Sequence, residues 1–229
     1  MATQRGPKIV QSNLVRCWDA ADFKYSRSSW VDLAGSGDSI SQNNGFGTSS
    51  ASGGFWTFNG SFQTISMTKG VFPALNSGPR TLEVWMNSQQ SNSLDTNYRG
   101  FIQMGTTEGG RSFNMALRGT TELGFNKGNW VTAGDTTWQT ISGGIYNRWI
   151  LFTLSYASST LNWYINGSSI YSQTISLSSG NTEASNKISI AGYGNFTPIW
   201  IGAIRFYNNN LSASQVLQNF NAQRGRFGI

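Results

Sequence analysis

About a dozen short runs of alternating or continuous apolar residues, each bounded by Gly, Asn or Ser, commit this chain to β-structure. They are LVRCWDA (14–20), GFWTFNG (54–60), SFQTISM (61–67), RTLEVWMN (80–87), GFIQMG (100–105) and RSFNMALR (111–118). TELGFN (121–126), RWILFTLSYA (148–157), TLNWYIN (160–166), SSIYSQTI (168–175), KISIAG (187–192) and IWIGAIRFYN (199–208) complete the set. A period of two separates two faces, so in LEVWM residues Leu82, Val84 and Met86 share one side, and Glu83 and Trp85 the other. Asn166-Gly167 lies between two such runs. This pair tolerates positive φ at both central positions and predicts a type I′ hairpin. The Gly/Ser-rich stretch 35–54 reads as surface loops.

Short strands at regular spacing predict a two-sheet antiparallel sandwich, and 229 residues suit one large domain. Charged residues are only 11% of the chain, so Ser, Thr, Asn, Gln and Gly must cover its surface. The net charge of +6 raises the question of an acidic partner. The basic residues are scattered and line no helix face, which argues against a dedicated nucleic-acid surface. The single cysteine, Cys17, rules out an internal disulfide and reads as a small buried hydrophobe. No stretch has the length of a membrane span. The start MATQRGPKIVQSN lacks the apolar run of a secretory signal, so the expected setting is synthesis in a reducing cytoplasm.

The end of the chain changes period. Ser212 is a good N-cap and Gln215 stands three residues on, a capping box; Leu211 and Val216 occupy the staple positions around it. A helix over 212–222 is expected, its apolar face made of Val216, Leu217 and Phe220, lying over an edge or rim of the sandwich. Gly225 and Gly228 should break the chain beyond the helix. The domain layout is then an N-terminal arm (1–12), a sandwich with its helix (13–222) and a tail (223–229).

The chemistry points away from catalysis. There is no histidine, hence no imidazole base or ligand. A glycosidase needs two carboxylates about 5 to 10 Å apart. The central strand offers Glu83 alone, expected to be exposed or loop-facing. A cluster of acids, Asp19, Asp22, Asp32 and Asp38, could hold calcium with loop carbonyls, though Asp also favours turns and caps. Sugar contacts could come from aromatic and polar residues in turn-rich contexts: Tyr98, Arg99, Trp130, Trp138, Tyr193, Asn195 and Phe196. Arg5 and Lys8 at one end, and Arg224, Arg226, Phe227 and Ile229 at the other, mix arginine with apolar groups. They read as docking elements on a partner, or as termini that fold back on their own domain.

Several stretches resemble a known family. LVRCWDAADFKYS, SSWVDLAGSGD and FWTFNGSFQTISM look like the opening of a concanavalin A-like, laminin-G-type jelly roll. RTLEVWMNS and WILFTLSYASSTLNWYINGSSIYS resemble its central strands. IGAIRFYNNNLSASQVLQNFNAQRGRFGI is similar to the end of stand-alone laminin-G-like proteins of tailed bacteriophages, especially those infecting cyanobacteria. The family often carries an acid just before the segment that here reads Ile204-Arg205; this chain has Ala203, which counts against an animal-type calcium site. The resemblance implies an all-β jelly roll with one short C-terminal helix. It also implies a non-enzymatic virion structural protein in multiple copies, decorating the capsid among other virion proteins. The alternative is a tail or baseplate adhesin that binds host-surface glycans.

Overall fold

The computed structural model describes residues 7–22, 29–35, 39–43, 47–61, 63–67, 77–105, 112–128, 136–177, 188–194 and 198–229. Among them the strands are β1 (Leu14–Asp19), β2 (Ser29–Val31), β3 (Ser39–Asn43), β4 (Gly47–Ser49), β5 (Phe55–Asn59) and β6 (Thr64–Met67). Then come β7 (Arg80–Ser88), β8 (Arg99–Gln103), β9 (Asn114–Arg118), β10 (Glu122–Asn126) and β11 (Thr136–Thr140). β12 (Trp149–Ala157), β13 (Thr160–Ile165), β14 (Ser168–Thr174), β15 (Ile188–Gly194) and β16 (Pro198–Tyr207) precede helix α1 (Ala213–Gln223) and a 3₁₀ turn, Arg224–Phe227.

The strands form two antiparallel sheets. The first runs β14-β13-β12-β7-β16-β5-β4, with β1 also on β16; the second runs β11-β10-β9-β8-β15-β6-β3-β2. Alternation places the core between them. Leu82, Val84 and Met86 of β7 and Ile199, Ile201, Ile204 and Phe206 of β16 meet Phe101 and Ile102 of β8, Met115 and Leu117 of β9, and Leu123 and Phe125 of β10. Each such side chain, fully removed from water, contributes about 1.5–3 kcal/mol. Together they make the jelly-roll sandwich that the strand pattern predicts.

Local turns match their chemistry. Asn166 and Gly167 both take positive φ, 52° and 82°, closing the β13–β14 hairpin. Ser158 and Ser159 do the same, at 48° and 64°, in a turn with no Asn-Gly signal. Cys17 is buried, and desolvation pushes its thiol up to about 11.

Four strands go unread in the sequence. β2, β3 and β4 are only three to five residues long, β3 and β4 are mostly polar or Gly, and the 35–54 stretch contains β3, β4 and a 3₁₀ turn besides loops. Their order comes from ladder partners: β3 bonds to β6, and β4 to β5. β11 is an edge strand on β10 with no buried residue.

The C-terminal helix begins as its sequence specifies. The Ser212 hydroxyl accepts from the Gln215 backbone N–H at 3.3 Å, the Gln215 side chain returns to the Ser212 N–H at 2.9 Å, and Leu211 and Val216 share one buried cluster. Ser212→Ala should therefore cost about 1 kcal/mol; an unchanged urea midpoint would show that the cap contributes nothing.

Three expectations need correction. The helix covers a face of the first sheet rather than an edge, because Glu83, Trp85 and Arg205 point outward from the core and need burial. Leu217 is exposed, while Asn219 faces inward. Gly225 sits within the 3₁₀ turn, and only Gly228, at φ 74°, ends it.

Candidate functional site

The outer face of the first sheet is divided in two. One half lies under α1 and the tail. Glu83 is fully buried there, correcting its expected exposure. Its carboxylate pairs with Arg205 Nη1 at 3.3 Å and accepts from Asn219 Nδ2 at 2.8 Å and Thr153 Oγ1 at 3.4 Å. Burial pushes the Glu83 carboxyl above its usual range, against the pull of Arg205 and these hydrogen bonds. Arg205 Nη2 also donates to Gln223 on α1. Asn219 carries the network on: Nδ2 donates to the Tyr207 hydroxyl, and Oδ1 accepts from the Val10 N–H at 2.7 Å.

The tail completes this cover. Phe227 is buried, stacked on Trp85 at 4.3 Å between ring centroids and tilted against Trp149 at 4.6 Å. It fits because residue 202 is glycine; a Cβ there would lie 2.5 Å from the ring. Arg226 pairs with Asp19 at 2.6 Å and donates to the Gly54 carbonyl at 2.5 Å. Of the two readings of the tail, docking or folding back, Arg226 and Phe227 follow the second: Trp85 and Trp149 hold the ring, and Asp19 holds the guanidinium. Arg224 and Ile229 stay exposed. At the other end Lys8 is exposed, although its carbonyl accepts from Gln218, and Arg5 lies outside the described residues.

The other half of this face is open. One row crosses the sheet through register pairs: Trp149 with Asn87, Asn87 with Trp200, Trp200 with Thr57, and Thr57 with Gly47 on the edge strand β4. A cleft of about 340 Å³ lies over the Trp200–Thr57–Gly47 part of this row, lined by Thr57, Asn59, Gln63, Gln89, Pro198 and Trp200, with Gly47 and Phe58. Trp200 is half-buried and stacks on Phe55, with centroids 4.8 Å apart and planes 24° from parallel. Gln89 is held by its own amide, which donates to Asn87 Oδ1 at 2.7 Å, and by its N–H, which donates to the Pro198 carbonyl at 2.9 Å. Gln63 accepts from the Asn59 N–H at 2.7 Å. An indole supported from behind and ringed by amides and a hydroxyl can stack on a sugar's C–H face and exchange hydrogen bonds with its hydroxyls.

The sequence candidates for sugar contact do not gather here. Arg99 pairs with Asp95 at 2.7 Å, and Tyr98 is half-buried beside it in sequence. Trp138 lies over Gly124, where any Cβ would strike the indole, and the Arg118 guanidinium stands 4.6 Å from its centroid. Arg118 is itself held by Glu122. Tyr193 is on β15, in register with Gly100 of β8. Trp130, Asn195, Phe196 and Asp38 lie outside the described residues. Of the proposed calcium ligands, Asp19 is engaged by Arg226, and Asp32 by the Cys17 and Ala34 N–H groups and by Arg16 at 3.7 Å. Both carboxylates accept from protein donors, in keeping with the turn and cap roles that the sequence also offered them. Asp22 is half-buried, its N–H donating to the Asp19 carbonyl.

Trp200 and its neighbours are absent from the sequence candidates, although a signal exists. In IWIG, Ile199 and Ile201 point inward, so Trp200 must point out. In FWTFN, the same alternation turns Thr57 and Asn59 outward. An indole on the outer face of a strand whose other face fills the core is legible as a candidate.

Two facing antiparallel sheets with a polar–aromatic cleft on an outer face define a lectin-type β-sandwich. The chain belongs to the Concanavalin A-like lectin/glucanases superfamily, whose laminin-G-type model matches residues 59–217. Its fold is also that of neurotoxin domains. The botulinum neurotoxin serotype D binding domain superimposes with a TM-score of 0.76 at 14% identity, over 93% of this chain and 53% of that one. The serotype G binding domain gives 0.71 at 16%, over 91% and 50%. The binding domain of botulinum neurotoxin DC, solved in complex with SialylT, gives 0.74 at 14%, over 93% and 52%. This chain spans about half the length of those domains, and at such identity the likeness is one of fold. No curated protein sequence matches the chain.

Proposed function

We propose that this chain is a non-catalytic glycan-binding module whose binding surface is the Trp200 cleft. The observation that carries the reading is the partly exposed Trp200 side chain, stacked on Phe55 and bordered by Thr57, Asn59, Gln63 and Gln89. Binding pockets pair such apolar planes with a few fixed polar groups. The described carboxylates argue against hydrolysis: of the six described Asp and Glu side chains, Asp19, Asp32, Glu83, Asp95 and Glu122 each pair with an arginine, and only Asp22 is left to act. A carboxylate held this way is a poor general acid.

The placement on a phage particle rests on the likeness of the final stretch to phage proteins. Capsid decoration through free terminal arms is the weaker version, because Phe227 and Val10 belong to this domain's own packing. An adhesin of the tail or baseplate agrees better with an open sugar-type cleft. Immunogold labelling of particles distinguishes the two sites.

Trp200→Ala should abolish binding on a glycan array, and Gln89→Ala, at the cleft border, should weaken it while leaving the melting temperature unchanged. Wild-type binding by both variants would sink the assignment of this cleft.

A further inference from the structure

Resting on the glycan reading, we infer that the ligand is an uncharged sugar chain that lies across Trp200 and runs off the sheet at Gly47. Two observations carry this, one about charge and one about shape.

Among the described residues, none of the eight that line the cleft is charged. Specific recognition of sulfate, uronate or sialate uses arginine forks or lysine, because a desolvated anion needs a charge-assisted partner. The protein as a whole is +6, so its far field attracts anions. That field is screened within about 10 Å at 0.1 M salt and selects no particular sugar. What remains inside the cleft is amide and hydroxyl, which both donate and accept as a neutral sugar's hydroxyls do.

The shape comes from the strand order. β4 is the last strand of its sheet, and the row Asn87–Trp200–Thr57 ends there on Gly47. Gly47 is exposed and has no side chain to wall the cleft. A Cβ at this position would collide with Thr57 Oγ1, so any larger residue would crowd both the hydroxyl and the exit. Among the described residues the cleft lining reaches from Trp200 to Gly47 on the edge strand. A cleft that extends to the sheet edge admits more than a single terminal residue.

The test is a ladder of neutral gluco-, manno- and galacto-oligosaccharides of increasing length, beside their sulfated, sialylated and uronic counterparts. Binding is measured by calorimetry at low and high salt. One neutral series should bind about tenfold more tightly as the chain lengthens beyond a single sugar, with little change in salt. Gly47→Asn, which crowds Thr57 and the exit together, should weaken the oligosaccharide more than the monosaccharide. If the monosaccharide binds as tightly as the oligomer, the chain inference is wrong. If only anionic series bind, through Trp200 and more weakly in salt, the neutral inference is wrong although glycan binding stands. If no series binds in a Trp200-dependent way, the functional reading itself fails. The wild-type ladder decides the question even if the Gly47 variant distorts its strand.

Discussion

Phe227→Ala lowers the free energy of unfolding by about 3–5 kcal/mol, the usual effect of emptying a buried aromatic site. In a chain of this size that is roughly 6–20 °C in melting temperature. The ring is 5% exposed and fills the slot made by Trp85, Trp149 and Gly202. Removing it leaves a cavity and uncovers two indoles. Deleting Arg224 to Ile229 should do at least as much damage, because it also takes Arg226 from Asp19. Ile229→Ala, at 44% exposure, is the control and should stay within about 0.5 kcal/mol. A truncated protein that melts like the wild type would return the tail to a docking role. The ring contacts continue from Phe227 through Trp149 and Phe55 to Trp200. Phe227→Ala should therefore also weaken glycan binding, at temperatures where the variant is fully folded.

The second large effect is expected at Arg205. Arg205→Met should cost about 3–5 kcal/mol, since it leaves the Glu83 carboxylate buried without its cation. Coulomb attraction within the pair does not explain this figure. Two charges lose much hydration on burial, so an intact pair is close to neutral against an apolar replacement, and the penalty belongs to the orphaned partner. The double variant Glu83→Leu with Arg205→Met should therefore recover most of the loss in urea denaturation. If the single variant costs under about 1 kcal/mol, Glu83 has taken up a proton and the pair contributes little. The same pair anchors the helix, through Asn219 to Glu83 and Gln223 to Arg205.

Much of the architecture is legible in the sequence because its causes are local. Alternation with period two is set by the pleat, so the inward face of β7 can be read without knowing its neighbours. The Ser212 cap and the Asn166-Gly167 turn act over two to four residues, and both form as their residues require. The short strands β2, β3 and β4 fail this test because three to five residues are too few to show a period; their ladder partners define them.

The site is harder to read. Aromatics in Gly- and Asn-rich contexts draw attention to Trp138, whose ring the fold packs over Gly124, while Trp200 sits inside an apolar run that looks like core. Alternation alone separates the two faces of a strand; it does not reveal which outer face another element will cover. Glu83 and Trp200 both point outward on neighbouring strands of the same sheet. The sequence by itself determined the sandwich, the hairpin and the capped helix, each encoded by residues close together in the chain. Only the tertiary structure decided that α1 and Phe227 lie over Glu83 and stop short of Trp200. That choice depends on Gly202 opening a slot and on Arg205 meeting a carboxylate 122 residues away. Such long-range fit has no periodicity and no local motif through which a sequence could announce it.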